Sequence, residues 1–411
     1  LCRKTVISIG IVTILCICTC LSSPASGEVV EWVQETPQVG WNNSAFAYCP
    51  LSDGRVFVHG GYDHLESKAS NSTWLFDPSN LTWEQRANSS VSSLGASAVY
   101  LPNGFVYVFG GQDQNGIVQS NVMIFEVGNN SWQTGPMNPS PGIYQSAIAI
   151  DDESIFVIGA TTGVQSKCYL FDPINGFLTL SSMPAFRTGG ALALIGDSIY
   201  YFGGYDQIDR IQDEIFKYDI LSDSWSDVGV LPKESMGFRG VAGQDGLIYL
   251  VGCTGSYGWQ GENYDVFYIF DPSNNRVKSL AAPTPLRFPG LIETNDGKLI
   301  VFGGHNSSDG NGKVFTLPIW EKIVTLSSES MNTGRGVWLS ITIHTFFTTM
   351  DGMRGTAALM MDDVTYASYE LLAIRGNTLM IELSLSEEIP GGNYTIVISG
   401  INIGNLEAQA F

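Results

Sequence analysis

Short apolar strands that end at a glycine recur along most of the chain. They cover residues 56–59, 106–109, 155–158, 199–202, 248–251 and 299–302, and each is rich in β-branched and aromatic side chains. The glycines that follow are Gly60, Gly110, Gly159, Gly203, Gly252 and Gly303, at spacings of 50, 49, 44, 49 and 51 residues. A repeat of this length predicts stacked structural units that share one core.

The second half of each unit repeats as well. An aromatic residue and an acidic residue stand together at 76–77, 125–126 and 218–219, and Trp83, Trp132 and Trp225 follow seven residues after the aromatic one. The acidic residue predicts a turn between a third and a fourth strand. The glycine permits backbone conformations and close approaches that a Cβ would block. Each unit is therefore predicted to be a four-stranded antiparallel sheet, and the units must stack into a closed ring because one sheet cannot bury both faces.

The two ends of the repeat region complement each other. In the sixth unit Pro318 follows the third strand at once, which leaves no room for a hairpin to a fourth strand. The segment 29–36 reads as an isolated fourth strand, with Trp32 in the position of Trp83 and Trp132. We predict that this segment completes the sixth sheet, because that pairing removes an exposed sheet edge. The alternative is a loose lead-in.

These repeats, over roughly residues 43–323, resemble kelch repeats. The resemblance implies an all-β fold, a six-bladed β-propeller closed by the N-terminal strand, over residues 28–325. Beyond about residue 326 the repeat stops, and strands are predicted at 336–345, 356–361, 378–384 and 394–399. Short strands with glycine-rich turns over residues 326–411 predict a small immunoglobulin-like β-sandwich.

The C-terminal part carries a second resemblance. Its segments 341–346, 349–354 and 389–397 are similar to the C-terminal domain of galactose oxidase and glyoxal oxidase, the copper radical oxidases. The resemblance implies that His344 is a copper ligand. It also implies a Tyr-His pair fifteen residues before Gly303, where this chain has Phe288 and Pro289, which offer no ligand atoms. Copper is therefore expected only if the oxidase interpretation holds, and otherwise no cofactor is expected.

The first residues predict export. Arg3 and Lys4 precede an apolar run over 5–21 and a small-residue stretch, which is typical of a secretory leader over residues 1–27. The alternative is an uncleaved N-terminal membrane anchor, and no later segment is apolar enough to cross a membrane. Asn-X-Ser/Thr sequons fit a secreted, extracellular glycoprotein. They begin at Asn42, Asn71, Asn80, Asn88, Asn129, Asn306 and Asn393.

The net charge bears on which partners the chain can bind, and the cysteine content bears on whether it forms disulfides. The chain has 40 acidic and 20 basic residues and a formal net charge of −20, which opposes binding to nucleic acid. After the leader only Cys49, Cys168 and Cys253 remain, in units one, three and five. Because units one, three and five do not touch in a ring of six units, buried free thiols are expected rather than disulfides.

The start of the innermost strand of each unit carries the candidate ligand-binding residues. They lie about fifteen residues before the glycines, and they are Tyr144, Arg187, Phe238, Arg239, Arg287 and Phe288. Arginine binds carboxylates in a fork, and aromatic rings stack on sugars or cations. The functional interpretation is an anionic ligand, or a protein loop with an acidic anchor. The alternative is that each arginine pairs with an acidic residue of a neighbouring unit.

A binding role follows from this pattern. The chain is expected to recognise a protein or glycan partner at a rim of loops on a rigid ring, and no catalytic residue is assigned. Two enzymatic alternatives remain: a galactose oxidase-like copper oxidase centred on His344, and a sugar enzyme similar to the sialic-acid mutarotases, which share the secreted six-bladed plan.

Overall fold

The computed structural model describes the repeat region and the strands that follow it. The described residues are 32–36, 41–159, 166–208, 210–255, 263–295, 297–305 and 313–318, with the strands 320–327, 337–345, 354–361, 364–372, 378–385, 394–400 and 404–410 beyond them. The predicted leader lies outside these residues. All regular structure within them is β-strand, and among them no helix is long and apolar enough to serve as a membrane span.

Six four-stranded antiparallel sheets follow one another along residues 33–318, consistent with a kelch β-propeller. Sheet 1 is Ala47–Pro50, Val56–His59, Thr73–Asp77, Thr82–Arg86; sheet 2 is Leu94–Leu101, Phe105–Gln112, Asn121–Glu126, Ser131–Met137; sheet 3 is Ser146–Ala149, Ile155–Ile158, Cys168–Asp172, Gly176–Leu180. Sheet 4 is Ala191–Ile195, Ser198–Phe202, Glu214–Asp219, Ser224–Val230; sheet 5 is Arg239–Ala242, Ile248–Thr254, Asn263–Asp271, Arg276–Ala281; sheet 6 is Gly290–Glu293, Lys298–Phe302, Val314–Pro318, Val33–Glu35. The predicted glycine-terminated strands are thus the second strands of the six sheets.

Smaller sheets accompany them. Asn43–Ser44, Tyr62–Asp63 and Lys68–Ala69 form a three-stranded sheet beside sheet 1. Beyond residue 319, Trp320–Ser327, Val337–Thr345 and Thr378–Leu385 form one sheet, and Val364–Leu372, Arg354–Met361, Tyr394–Gly400 and Gly404–Ala410 form another. The four predicted C-terminal strands are therefore present, and the other three strands of these two sheets were not predicted.

Apolar layers fill the space between neighbouring sheets. Each of six buried clusters takes its side chains from two successive sheets, and one of these clusters joins sheet 6 to sheet 1. In that last layer Val56 and Phe76 of sheet 1 pack with Ile300 and Phe302 of sheet 6. The large aromatic residues of the repeat therefore lie where the sequence pattern predicts, between one sheet and the next.

The N-terminal strand completes sheet 6, as predicted. Val33–Glu35 pairs antiparallel with Val314–Pro318, with Val33 opposite Thr316. The Trp32 indole Nε1–H donates to the carbonyl oxygen of Ala281, at the end of the fourth strand of sheet 5, over 3.3 Å. Trp132 and Trp225 make the equivalent bond to the preceding sheet, at 2.8 and 3.0 Å. Trp32 thus occupies the place of the other repeat tryptophans.

The glycine pairs join each unit to the next one. In the four units with a second glycine, its N–H donates to a carbonyl oxygen at the start of the following unit, over 2.7–3.0 Å. These bonds run from Gly61 to Ser93, Gly111 to Gly142, Gly204 to Ser235 and Gly304 to Asn43. The first glycine lies so close that a Cβ on Gly110 would be 2.2 Å from the Gly142 oxygen. The glycines therefore permit the close approach that the repeat requires.

Candidate functional site at the central axis

Six residues, one at the start of each unit, form a closed ring of backbone hydrogen bonds around the axis. We call this ring the hoop, and its members are Ala45, Gly95, Tyr144, Gly189, Gly237 and Phe288. Each member donates its N–H to the carbonyl oxygen of the preceding member, and Ala45 donates to Phe288, over 2.6–3.2 Å. All six have a left-handed backbone, with φ between 51° and 72°. Glycine adopts this conformation readily, but Ala45, Tyr144 and Phe288 do so at a cost of about 1 kcal/mol each.

Two aromatic rings close the hoop. Tyr144 and Phe288 belong to the third and sixth units, which are opposite each other in the hoop, and their rings stack with centroids 4.7 Å apart and planes 13° apart. The rings lie beside two hoop glycines. A Cβ on Gly95 would be 2.8 Å from the Tyr144 ring, and one on Gly237 would be 3.1 Å from the Phe288 ring. The stack therefore spans the axis and separates the two sides of the hoop.

The outer side of the hoop is apolar. The loops that join second to third strands begin at the glycines and rise on this side, which we call the hoop face. Its floor is one cluster of apolar and aromatic side chains: Ala45, Ala69, Leu94, Tyr205, Ile211, Met236 and Phe288, with Tyr62, Ile143 and Tyr144 against them. Around this floor, three large apolar side chains are exposed on three of the loops: Leu65 by 73%, Ile117 by 62% and Ile208 by 69%.

Each of these three exposed residues is held by an aspartate of its own loop. The backbone N–H of Leu65 donates to the Asp63 carboxylate over 2.9 Å. Ile117 donates to Asp113 in the same way over 2.9 Å, and Ile208 donates to Asp206 over 3.0 Å. Sequence reasoning missed the three apolar residues. The available signal was the aspartate two residues after each glycine pair.

The predicted arginines do not form one exposed rim. Arg187 is 6% exposed; its guanidinium forms an ion pair with Glu214 at 2.9 Å and donates to the Phe186 carbonyl oxygen. Arg287 is also buried, and its backbone pairs with that of His305. Phe238 is fully buried in the layer between sheets 4 and 5. Burial removes these three side chains from any shared surface, which corrects the interpretation of a common rim.

Arg239 has a different environment. With Tyr144 it lines a central cavity of about 330 Å³ that the innermost strands of all six sheets surround. Its guanidinium carbon is 5.9 Å from the centroid of the Phe288 ring. No hydrogen bond or ion pair of this guanidinium occurs among the described residues. Burial lowers the pKa of Arg239, because the charged group has lost part of its hydration. Three predicted site residues, Tyr144, Arg239 and Phe288, therefore come together at the axis.

The histidines of the first and sixth units are neighbours on the hoop face. The His64 and His305 rings stack with centroids 4.4 Å apart, and the Ser44 hydroxyl lies 2.9 Å from Nε2 of His64. Burial, together with the nearby His305 and Arg287, lowers the pKa of His64 to about 4. No group of three His, Cys, Asp or Glu side chains able to hold a metal occurs in the described part of the chain.

The residues present do not fit a copper site of the oxidase type. Phe288 and Pro289 occupy the positions of the family's Tyr-His pair, and the Phe288 ring is part of the aromatic stack. Tyr48 and Cys49 pack into different layers, as the alternation of a strand requires. His344 lies on the strand Val337–Thr345, opposite Glu321 and Thr378, and its side chain is outside the described residues.

Other predicted residues have local roles. Cys49 and Cys168 are buried free thiols, as expected, and burial raises the pKa of Cys168 to about 12. The side chain of Cys253 lies outside the described residues. Among the sequons, Asn80 donates to Asp77 and Asn129 to Glu126 in turns between third and fourth strands, and Asn71 donates to the Ser89 carbonyl oxygen. Asn88 is exposed and Asn42 is partly buried, whereas Asn306 and Asn393 lie outside the described residues.

Repeated four-stranded sheets with a glycine-terminated second strand, arranged about one axis, define a β-propeller of the kelch class. The chain belongs to the kelch-repeat family: the KLHDC2/KLHL20/DRC7 Kelch-repeats domain matches residues 95–304, and the Kelch motif matches residues 49–90. The kelch resemblance is thereby confirmed.

Named relatives agree with this assignment. Kelch-like protein 35 of Mus musculus is 28% identical over 260 residues, which is 61% of this chain and 41% of that protein. Kelch-like protein 36 of Rattus norvegicus is 24% identical over 311 residues, 71% of this chain and 50% of that protein. Alpha-scruin of Limulus polyphemus is 27% identical over 165 residues, 36% of this chain and 18% of that protein. The chain thus spans half or less of the length of these three relatives.

These relatives change one prediction and support another. Kelch-like proteins and scruins are typically intracellular, so the predicted secreted localisation is wrong. The same relatives indicate a propeller that takes part in protein interactions.

Proposed function

We propose that this chain binds a protein partner through the hoop face. The observation that carries the proposal is the set of three exposed apolar side chains, Leu65, Ile117 and Ile208, around an apolar floor. Exposed apolar patches rimmed by polar residues are typical of protein interaction sites. The kelch-like and scruin relatives favour a protein as the partner over a glycan.

The hydrogen bonds to Asp63, Asp113 and Asp206 add to this proposal. Because each carboxylate holds the backbone at or beside the exposed residue, the loops offer these side chains in a fixed arrangement before any partner arrives. A preorganised surface loses less conformational entropy on binding. Asp63 and Asp113 also place acidic groups beside Leu65 and Ile117, whereas Asp206 is paired with Arg210. A partner with an apolar centre and basic groups toward these two loops is therefore complementary.

Paired variants of the tagged chain test this proposal. The hoop-face variant carries Leu65→Gln, Ile117→Gln and Ile208→Gln. The control variant carries Ile174→Gln and Leu221→Gln, at exposed sites (93% and 80%) on hairpins between third and fourth strands, at the opposite end of the sheets. Quantitative co-purification with the unchanged chain as reference should show specific partners lost only from the hoop-face variant. Partners that both variants retain equally, or that both lose, would contradict the assignment.

We also propose the finer architecture: one ring of six blades closed by the N-terminal strand, over residues 28–325, and an immunoglobulin-like domain over 326–411. The closed hoop and the layer between sheets 6 and 1 support the ring. The two sheets beyond residue 319 support a sandwich. Limited proteolysis should give a stable fragment ending near residue 325, and cleavage within the repeats would speak against these boundaries.

A further inference from the structure

The inner side of the hoop encloses a cavity that the proposed partner surface does not use. The stacked Tyr144 and Phe288 rings close its hoop end, so among the described residues the cavity opens at the other end of the innermost strands, near Pro50, Tyr100 and Ala149. Its volume is about 330 Å³, near the lower limit of the pockets that hold small molecules. A small organic molecule therefore fits it, whereas a folded partner does not.

The cavity wall is suited to a small organic molecule with one polar end. Small side chains line much of it, among them Ala96, Ala98, Ala147 and Ala191. These leave room near the axis, and the Phe288 ring lies beside the guanidinium of Arg239. A largely apolar lining with a few convergent polar groups is the usual composition of a ligand pocket.

The charge of Arg239 calls for an anion. Arg187, from an adjacent unit of the repeat, has its charge balanced by Glu214. Among the described residues Arg239 has no such carboxylate partner. Its guanidinium instead lies over the aromatic ring of Phe288. The acidic Glu293 also lines the cavity, where its carboxylate accepts the backbone N–H of Gln244. A partly buried guanidinium without a counter-charge is costly, and a bound anion would offset that cost.

We infer that the central cavity binds a small organic carboxylate, which the Arg239 guanidinium holds through paired N–H···O bonds. A carboxylate matches the planar fork of arginine and carries one charge, which one arginine balances. Phosphate or sulfate carries more charge than this single cation compensates. The apolar part of the ligand would lie along the small side chains of the innermost strands.

Calorimetric titration of the whole chain tests this inference. The probes are propanoate and benzoate, their neutral isosteres propanamide and benzamide, and inorganic phosphate, all at one ionic strength. We expect a carboxylate to bind with saturation and the matched amide to bind at least about tenfold more weakly. Equal binding of acid and amide, or the absence of saturable binding by both acids, would overturn the inference. A capped Gly-Glu-Gly peptide separates the two sources of a carboxylate, and binding of this peptide alone would overturn the small-molecule assignment.

Variants locate the site. Arg239→Met should reduce carboxylate affinity by about tenfold or more, and Arg239→Lys should retain part of it. The control is Arg210→Met, because Arg210 is exposed on the hoop face and pairs with Asp206 outside the cavity. Arg239→Gln serves if the methionine variant does not fold. Unchanged affinity in a folded Arg239 variant, or an equal loss in Arg210→Met, would contradict the assignment.

Discussion

The layers between the sheets are closely packed and apolar, whereas the central axis contains a cavity and a charged side chain. In the layers, aromatic and aliphatic side chains are buried, and the indole N–H groups of Trp132 and Trp225 donate to carbonyl oxygens at the end of the preceding sheet. At the axis a cavity remains, and the Arg239 guanidinium in its wall has no ion pair among the described residues. The layers thus provide most of the stability, and the axis provides free volume and charge for binding. Removal of a layer contact should destabilise the chain, and removal of the axial charge should not.

The hoop lies between these two environments and depends on both. Its backbone hydrogen bonds link the sheets in the same order as the layers do, while its Tyr144–Phe288 stack divides the axis into two compartments. The outer compartment is apolar and faces the loops, and the inner one contains Arg239. One ring of six residues therefore separates a surface suited to a protein from a cavity suited to a small anion.

The largest expected effect comes from the contact that sets the distance between units. Gly110→Ala would place a Cβ 2.2 Å from the Gly142 carbonyl oxygen, where backbone must move, on a residue with φ of 65°. We expect a loss of about 4 kcal/mol or more in the free energy of unfolding, because strain and steric overlap add. Urea denaturation followed by tryptophan fluorescence measures it.

Gly104→Ala is the matched control for that variant. Gly104 lies in the same sheet with φ of 90°, and a Cβ there would meet nothing within 4 Å. Its cost should be about 1 kcal/mol, the price of a left-handed alanine alone. If both variants lose the same free energy, the close approach of the units adds nothing, and the contrast between layer and axis weakens.

A titratable group within a layer gives the next effect. His59 is buried between sheets 1 and 2 beside Trp132, and burial lowers its pKa to about 4. Because the unfolded chain has a histidine pKa near 6.5, it binds more protons than the folded chain between pH 6.5 and 4. Stability is therefore full above pH 6.5 and falls by about 3 kcal/mol as the pH drops to 4.

The variant His59→Gln isolates that contribution. It should be less stable than the original chain at pH 7, where the bonds of His59 to Ser72 and Thr73 are intact. Its free energy of unfolding should then decline less steeply between pH 6.5 and 4. Parallel slopes for the two proteins over this window would show that the pKa of His59 is not depressed by the layer.

Local features of this fold could be predicted from the sequence, and contacts between units only in part. The glycine-terminated strands and the turn aspartates, such as Asp77 with Ser79, depend on residues close in sequence. The place of Trp32 was also predictable, because the repeat defines a vacant position for it. The hoop was not, since its bonds join residues about fifty positions apart and three of its six members are not glycine. Spacing placed Arg187 and Arg239 near the axis, but it does not reveal which arginine meets a carboxylate.

Substitution of Arg187 and of Arg239 gives the next expected effect. Arg187→Met would leave the half-buried Glu214 without its counter-charge, and we expect a loss of about 2 kcal/mol in the free energy of unfolding. Arg239→Met would remove a charge that has no ion pair among the described residues, so its effect should be between zero and a gain of about 1 kcal/mol. Denaturation in low and high salt measures both. An equal loss in the two variants would mean that Arg239 has a structural partner, and the anion site would lose its physical basis.

The smallest predicted effect concerns the layer that the N-terminal strand completes. Trp32→Phe removes the 3.3 Å bond to the Ala281 carbonyl oxygen but keeps an aromatic ring near Phe267. We expect a loss of about 1 kcal/mol, because the bond is partly solvated. Trp225→Phe, which removes the equivalent 3.0 Å bond between sheets 3 and 4, is the internal reference. Comparable losses would mean that the added strand is held as firmly as one within a continuous unit. A loss confined to Trp225→Phe would mean that the layer between sheets 5 and 6 does not depend on the tryptophan of the N-terminal strand.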